Sequence, residues 1–92
     1  MTNELNSLWD RLQKDIRRIY TQSPVRFDES AERQFFEYLD LNELGLAYEE
    51  LCDLMKEKGC SIGAELYAVI FSTGTEMGLT PDTWERLKPL VR

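Results

Sequence analysis

Apolar residues recur along this chain at i, i+3, i+4 and i+7, and turn-forming residues break the recurrence into helix-length pieces. Residues 4–20 place Leu5, Leu8, Trp9, Leu12, Ile16, Ile19 and Tyr20 on one face. Thr2 or Asn3 suits the N-cap there, Glu4 the positive end of the helix dipole, and Arg17 and Arg18 the negative end. Pro24 pushes Ser23 away from helical geometry, so residues 21–27 form a connector. Asp28 then caps a second helix over residues 29–40, with Ala31, Phe35, Tyr38 and Leu39 on one arc and Glu29, Arg33, Glu37 and Asp40 on the other. Phe36 falls between these arcs, where an aromatic ring is partly exposed.

The stretch Asn42 to Gly59 is the one the chain is organised around. On a wheel of about 100° per residue, Leu44, Ala47, Tyr48, Leu51, Leu54 and Met55 share one face, with Cys52 at its edge. Glu49, Glu50, Asp53 and Glu57 share the opposite face. Gly45, in the first turn, predicts a tight bend or a close helix approach. Gly59 supplies a left-handed stop, and Lys56 and Lys58 match the dipole.

Ser61 is placed to cap a fourth helix over residues 62–77, whose inner line is Ile62, Leu66, Val69, Ile70, Thr73 and Met77. Gly63, Ala64, Ala68, Ser72 and Gly74 predict a surface that another helix can approach, and Gly74 a last turn that frays or bends. In Gly78-Leu79-Thr80-Pro81, Gly78 ends one helix, Thr80 caps the next and Pro81 takes its first position. Leu79 and Trp84 stand at hydrophobic-staple positions. Trp84, Leu87 and Leu90 or Val91 continue inward, and Pro89 ends the regular helix. The fold class is all-α: a small bundle of about five helices with short connections, one domain over residues 1–92.

Charge changes this picture. The net charge is −6, and it is concentrated in the middle third. Residues 27–58 hold ten acids against three bases, whereas residues 1–26 carry a net +2 and residues 59–92 a net −1. An acidic middle disfavours direct binding of nucleic acid or anionic lipid and favours a basic partner. The basic positions Arg11, Lys14, Arg17, Arg18 and Arg26 are interleaved with Asp10 and Asp15, so they read as solvated surface or as counter-charges for the acidic helices. No apolar run approaches the ~20 residues of a membrane span. The start MTNELNSLWDRLQKD lacks the pattern of a signal peptide and points to the cytoplasm.

Catalytic chemistry is poorly supplied. Histidine is absent, and no phosphate-cradling glycine loop, nucleophile elbow or calcium loop is written in the chain. Cys52 and Cys60 have no spacing that implies a disulfide or a zinc site and read as reduced structural thiols. The thiolate of Cys52 is disfavoured by the acids around it. The expectation is a protein without enzymatic activity, cofactor or metal. Glu49, Asp53 and Glu57 stand at i, i+4 and i+8, where like charges each cost a few tenths of a kcal/mol. A docking basic surface recovers that cost.

The run Glu43-Leu44-Gly45-Leu46-Ala47 followed by Leu51-Cys52-Asp53-Leu54 resembles the central motif of MafI-type immunity proteins, in which Gly-Leu-Ala opens a helix that continues into Leu-Cys-Asp. The later pattern of Ile62, Tyr67, Ile70, Met77-Gly78-Leu79, Trp84, Leu87, Leu90 and Val91 agrees with that family. The resemblance covers about residues 36–91. It implies a small cytoplasmic bacterial protein that binds and blocks a secreted toxin domain in contact-dependent growth inhibition. Such toxins are often nucleases, including EndoU-type RNases, and an acidic inhibitor can occupy their basic channel as a phosphate backbone would.

The expected partner is thus a cognate toxin nuclease domain with a basic surface, with no direct nucleic-acid and no membrane contact. The candidate partner-binding residues are Phe36, Glu37, Asp40, Glu43, Glu49, Asp53 and Glu57. One competing reading is a regulatory or adaptor domain that holds a peptide in an apolar groove lined by the small-residue fourth helix and Phe36. Another is a DNA mimic, against which the +2 N-terminal third counts.

Overall fold

The structure, a computed structural model, describes residues 3–92, with side chains from Ser7 onward. The expected cap at Thr2 or Asn3 and the places of Glu4 and Leu5 lie outside the described residues and side chains. Four long helices follow in order: α1 (Asn3–Gln22), α2 (Glu29–Asp40), α3 (Leu44–Lys58) and α4 (Ala64–Glu76). A one-turn α5 (Asp82–Glu85) and a 3-10 turn (Lys88–Leu90) close the chain. Helix α1 packs against α3 and α4, α2 lies along α3, and α5 sits on α3 and α4. This is a small all-α bundle built around the inner face of α3, where Ala47, Tyr48, Leu51, Cys52 and Met55 are all buried.

Most helix ends follow from their sequence. The carboxylate of Asp28 accepts the Ala31 amide at 2.9 Å and starts α2. Gly59 has φ +60° and stops α3 in the left-handed region. Helix α4 ends in a Schellman motif, with the Gly78 amide on the Thr75 carbonyl at 3.0 Å and the Leu79 amide on Gly74 at 3.1 Å. The α2–α3 turn repeats this motif with Asn42 as its left-handed residue, at φ +58°. There Asn42 bonds to Leu39 at 3.1 Å and Glu43 to Tyr38 at 2.8 Å. Asparagine enters that region at low cost. Helix α1 runs two residues past its expected end, because the Arg26 guanidinium collects the carbonyls of Tyr20 and Ser23, each at 2.8 Å, and caps it from outside.

Several expectations are corrected. Ser61 does not cap α4. Ile62 is held extended by a parallel bridge to Val91, donating to the Leu90 carbonyl at 2.8 Å and accepting from Arg92 at 2.9 Å, so the helix opens only after Gly63. Thr80 does not cap α5 through its hydroxyl, which lies 3.5 Å from the Thr83 hydroxyl; its carbonyl accepts the Thr83 amide instead. The helix then starts at Asp82, one residue later than expected.

The close approach expected at both helix glycines is found at Gly74 and not at Gly45. Gly45 admits no close neighbour: a Cβ there meets nothing within 4 Å. At Gly74 a Cβ falls 2.6 Å from the Tyr48 hydroxyl and closer still to the Trp84 ring. Gly74 therefore does not fray the helix. It is the point at which α5 comes down on α4, and the helix continues to Glu76. The other small residues of α4 are exposed, and Ala68 and Ser72 line an open hollow beside Asp15 and Arg18 of α1.

Candidate functional site

Helices α2 and α3 form an antiparallel pair, and a seam runs along its outer side. On α3 the seam is walled by Leu46, Glu50, Asp53 and Glu57, which share a face at i, i+4, i+7 and i+11. On α2 the opposite wall is Ala31, Gln34, Tyr38 and Leu41. The seam widens into two hollows. The first, about 430 Å³, lies at the α2–α3 turn and is lined by Glu37, Tyr38, Leu41, Glu43 and Leu46, with Arg33 at its margin. The second, about 260 Å³, lies at the other end and is lined by Asp28, Glu50, Asp53, Leu54 and Glu57, with Arg26 and Lys58.

The turn end exposes two leucines among polar side chains. Leu41 is 64% exposed and Leu46 44% exposed. The Asn42 Schellman turn puts Leu41 there: reversal of the backbone directs the residue just past the helix away from the core. Neither leucine was a sequence candidate. Leu46 could have been found, because it lies outside the apolar arc of α3 and in register with Glu50, Asp53 and Glu57. Round the corner, Trp9 of α1 is 41% exposed, beside a hollow of about 250 Å³ that Gly45 and Met77 also line.

The seven sequence candidates do not share one face. Glu37 and Glu43 rim the turn-end hollow and Glu57 the far one. Glu49 faces α5, in a third hollow of about 290 Å³ shared with Asp53, Asp82 and Arg86. A stripe at i, i+4, i+8 turns about 40° per step around a helix, which is why Glu49, Asp53 and Glu57 straddle two surfaces.

Asp53, between them, is bound by the Arg86 guanidinium at 2.6 Å. Asp40 turns toward α1 and lies 3.5 Å from Arg17. Phe36 is half-buried, as its place between the two arcs predicts: it packs edge-on to Phe35 and Tyr20 at 5.2 and 6.0 Å, and the Arg17 guanidinium sits 5.2 Å over its ring. Arg11 pairs with Glu76, so Arg11 and Arg17 of α1 are engaged within the fold, while Lys14 and Arg18 are exposed. Among the described residues, Glu37, Glu43, Glu49, Glu50 and Glu57 have no ion-pair partner within 4.0 Å.

The reactive side chains are shut away from this surface. Both cysteines are free thiols, and Cys52 is buried beside Tyr48. Burial pushes its thiol up to about 12, against the lowering effect of Arg86, with Asp53 a smaller raising contribution. The Tyr48 hydroxyl donates to the Ile70 carbonyl at 2.6 Å, and burial also raises its pKa. Among the described residues no group of three His, Cys, Asp or Glu side chains is placed to hold a metal ion. No described helix is long and apolar enough to cross a membrane.

The chain matches no family model, no curated protein and no solved structure. The functional reading therefore rests on this surface and on what a seam with exposed leucines among unpaired carboxylates can recognise.

Proposed function

We propose that this chain is an immunity protein. It binds a cognate bacterial toxin domain, a nuclease with a basic substrate channel, and neutralises it by covering that channel with the outer side of α2 and α3. The supporting observation is the seam itself. Glu37, Glu43, Glu50 and Glu57 line it with no ion-pair partner within 4.0 Å among the described residues, although Arg33, Arg26 and Lys58 stand along it, and Leu41 and Leu46 are exposed at one end. Carboxylates of this kind steer a basic protein and fix its orientation, and exposed apolar side chains bounded by charge are the usual composition of a binding surface. The protein works in the cytoplasm, without cofactor and without catalysis of its own. The Gly-Leu-Ala and Leu-Cys-Asp resemblance to MafI-type immunity proteins points the same way.

The decisive experiment is co-expression with the polypeptide encoded immediately upstream. The expected result is restored growth and a co-purifying complex whose affinity falls as salt rises. Failure of both rescue and complex formation rejects this reading. The adaptor alternative loses its expected single groove, because Ala68 and Ser72 of α4 line a hollow beside Asp15 and Arg18 that Phe36 does not share, and Phe36 packs against Tyr20 and Arg17 instead. The turn-end hollow with Leu41 and Leu46 offers it another apolar surface, and salt-insensitive binding there favours it.

A further inference from the structure

The two ends of the α2–α3 seam differ chemically. The antiparallel helices bring the exposed Leu41 and Leu46 together with Tyr38 at the turn end, rimmed there by Glu37, Glu43 and Arg33. The other end collects Asp28, Glu50, Asp53 and Glu57. Arg26 and Lys58 also stand at that end, but Arg26 is committed to the C-terminal carbonyls of α1 and its guanidinium lies 5.0 Å over the Tyr20 ring. From Leu46 to Glu57 the wall of α3 rises about 16 Å, at ~1.5 Å per residue. That length takes roughly five extended residues or three turns of helix.

We infer that the seam reads one polarised segment of its basic partner, with an apolar side chain in the turn-end hollow and lysine or arginine side chains against Glu50 and Glu57 at the far end. Charge complementarity selects this occupant. A second copy meeting this seam about a two-fold axis would bring the same carboxylates against one another, whereas a basic segment pairs with them, and an apolar side chain at its other end covers Leu41 and Leu46. The inference rests on the proposal that the partner is a basic toxin domain and adds which segment of that partner is held, and in what order.

A direct probe is a fluorescein-labelled nine-residue peptide with a leucine pair at one end and an arginine pair at the other. Its control is a peptide of the same composition with leucines and arginines alternating. The polarised peptide is expected to bind more tightly by polarisation and to shift the backbone amide resonances of Leu41, Leu46 and Glu57. Leu46→Ser, or Glu50→Lys with Glu57→Lys, should weaken it by about tenfold or more with the helical circular-dichroism signal unchanged. Only the charge pair should reduce the salt dependence. Equal binding of the two peptides, or indifference to both variants, overturns the inference.

The same variants in the co-expression assay separate the two claims. If the wild-type chain rescues growth and both variants rescue it equally, the immunity reading stands and the seam is not its interface. If the wild-type chain neither rescues nor co-purifies with that polypeptide, the immunity reading fails, and the peptide measurement alone decides what the seam binds.

Discussion

Gly74 and Gly45 mark two regions that the fold treats in opposite ways. At the α4–α5 corner the fold uses its small and polar groups from within: Gly74 leaves room for the Trp84 ring, and the Tyr48 hydroxyl beside it is bonded to Ile70, although the Trp84 indole N–H has no hydrogen-bond partner among the described residues and Phe71, packed edge-on to that ring, is 49% exposed. At the α2–α3 turn a glycine faces open space and two leucines face solvent. No described side chain buries them. The contrast separates residues that the fold requires from residues that a partner would use, and the two are not distinguished by residue type.

The largest expected effects lie at the corner. Trp84 is 3% exposed, and Trp84→Ala should cost about 3–5 kcal/mol. Gly74→Ala forces its new methyl group into the Trp84 ring and the Tyr48 hydroxyl and should cost about 1–3 kcal/mol. Urea denaturation of both single variants and the double variant checks the cause as well as the size. In the Trp84→Ala background the alanine at position 74 should cost much less, since the two residues occupy one space. Full additivity would mean that Gly74 matters for some reason other than Trp84, and the comparison would lose its firmest member.

Much of the fold was legible in the sequence. The apolar periodicity gives α2 its ends, and Asp28, Gly59 and Gly78 act at the termini where helix-capping chemistry puts them. Less legible was anything decided by residues distant in the chain. The end of α1 depends on Arg26 reaching back to it, and the start of α4 on Val91 reaching Ile62. The site shows the same limit. Counting charge found the acidic middle, but Asp53 and Asp40 are paired by Arg86 and Arg17 from elsewhere in the fold, and the half-buried Phe36 is engaged by Tyr20 and Arg17. Leu46 was readable in principle, from its register with the acids. Leu41 was not, because its exposure depends on the left-handed Asn42.

The corner should also carry an alkaline signature. Burial raises the Cys52 thiol from 9.0 to about 12. The unfolded chain therefore gives up this proton first as pH rises. The contribution is fully present below about pH 9 and is lost as pH climbs toward 12. Thermal unfolding followed between these values should show a falling melting temperature, with part of the slope removed by Cys52→Ala. The buried Tyr48 hydroxyl, whose pKa is also raised, adds a loss of the same sign at higher pH and should remain in that variant. An unchanged slope would place the alkaline sensitivity outside Cys52.

The smallest effects are expected at the turn, and their smallness is what the comparison requires. Gly45→Ala fills open space on a helical backbone, so it should leave stability unchanged or raise it by up to about 1 kcal/mol. Leu41→Ser and Leu46→Ser remove side chains already 64% and 44% exposed, and each should shift stability by no more than about 0.5 kcal/mol. Denaturant midpoints of the three variants test this directly. A Leu46→Ser loss near that of Gly74→Ala would make this leucine a packing residue, and its exposure would no longer point outward. If the midpoints hold while binding to the basic partner falls, then Leu46 and Gly74 do what their surroundings imply: one is kept for the partner and the other for the fold.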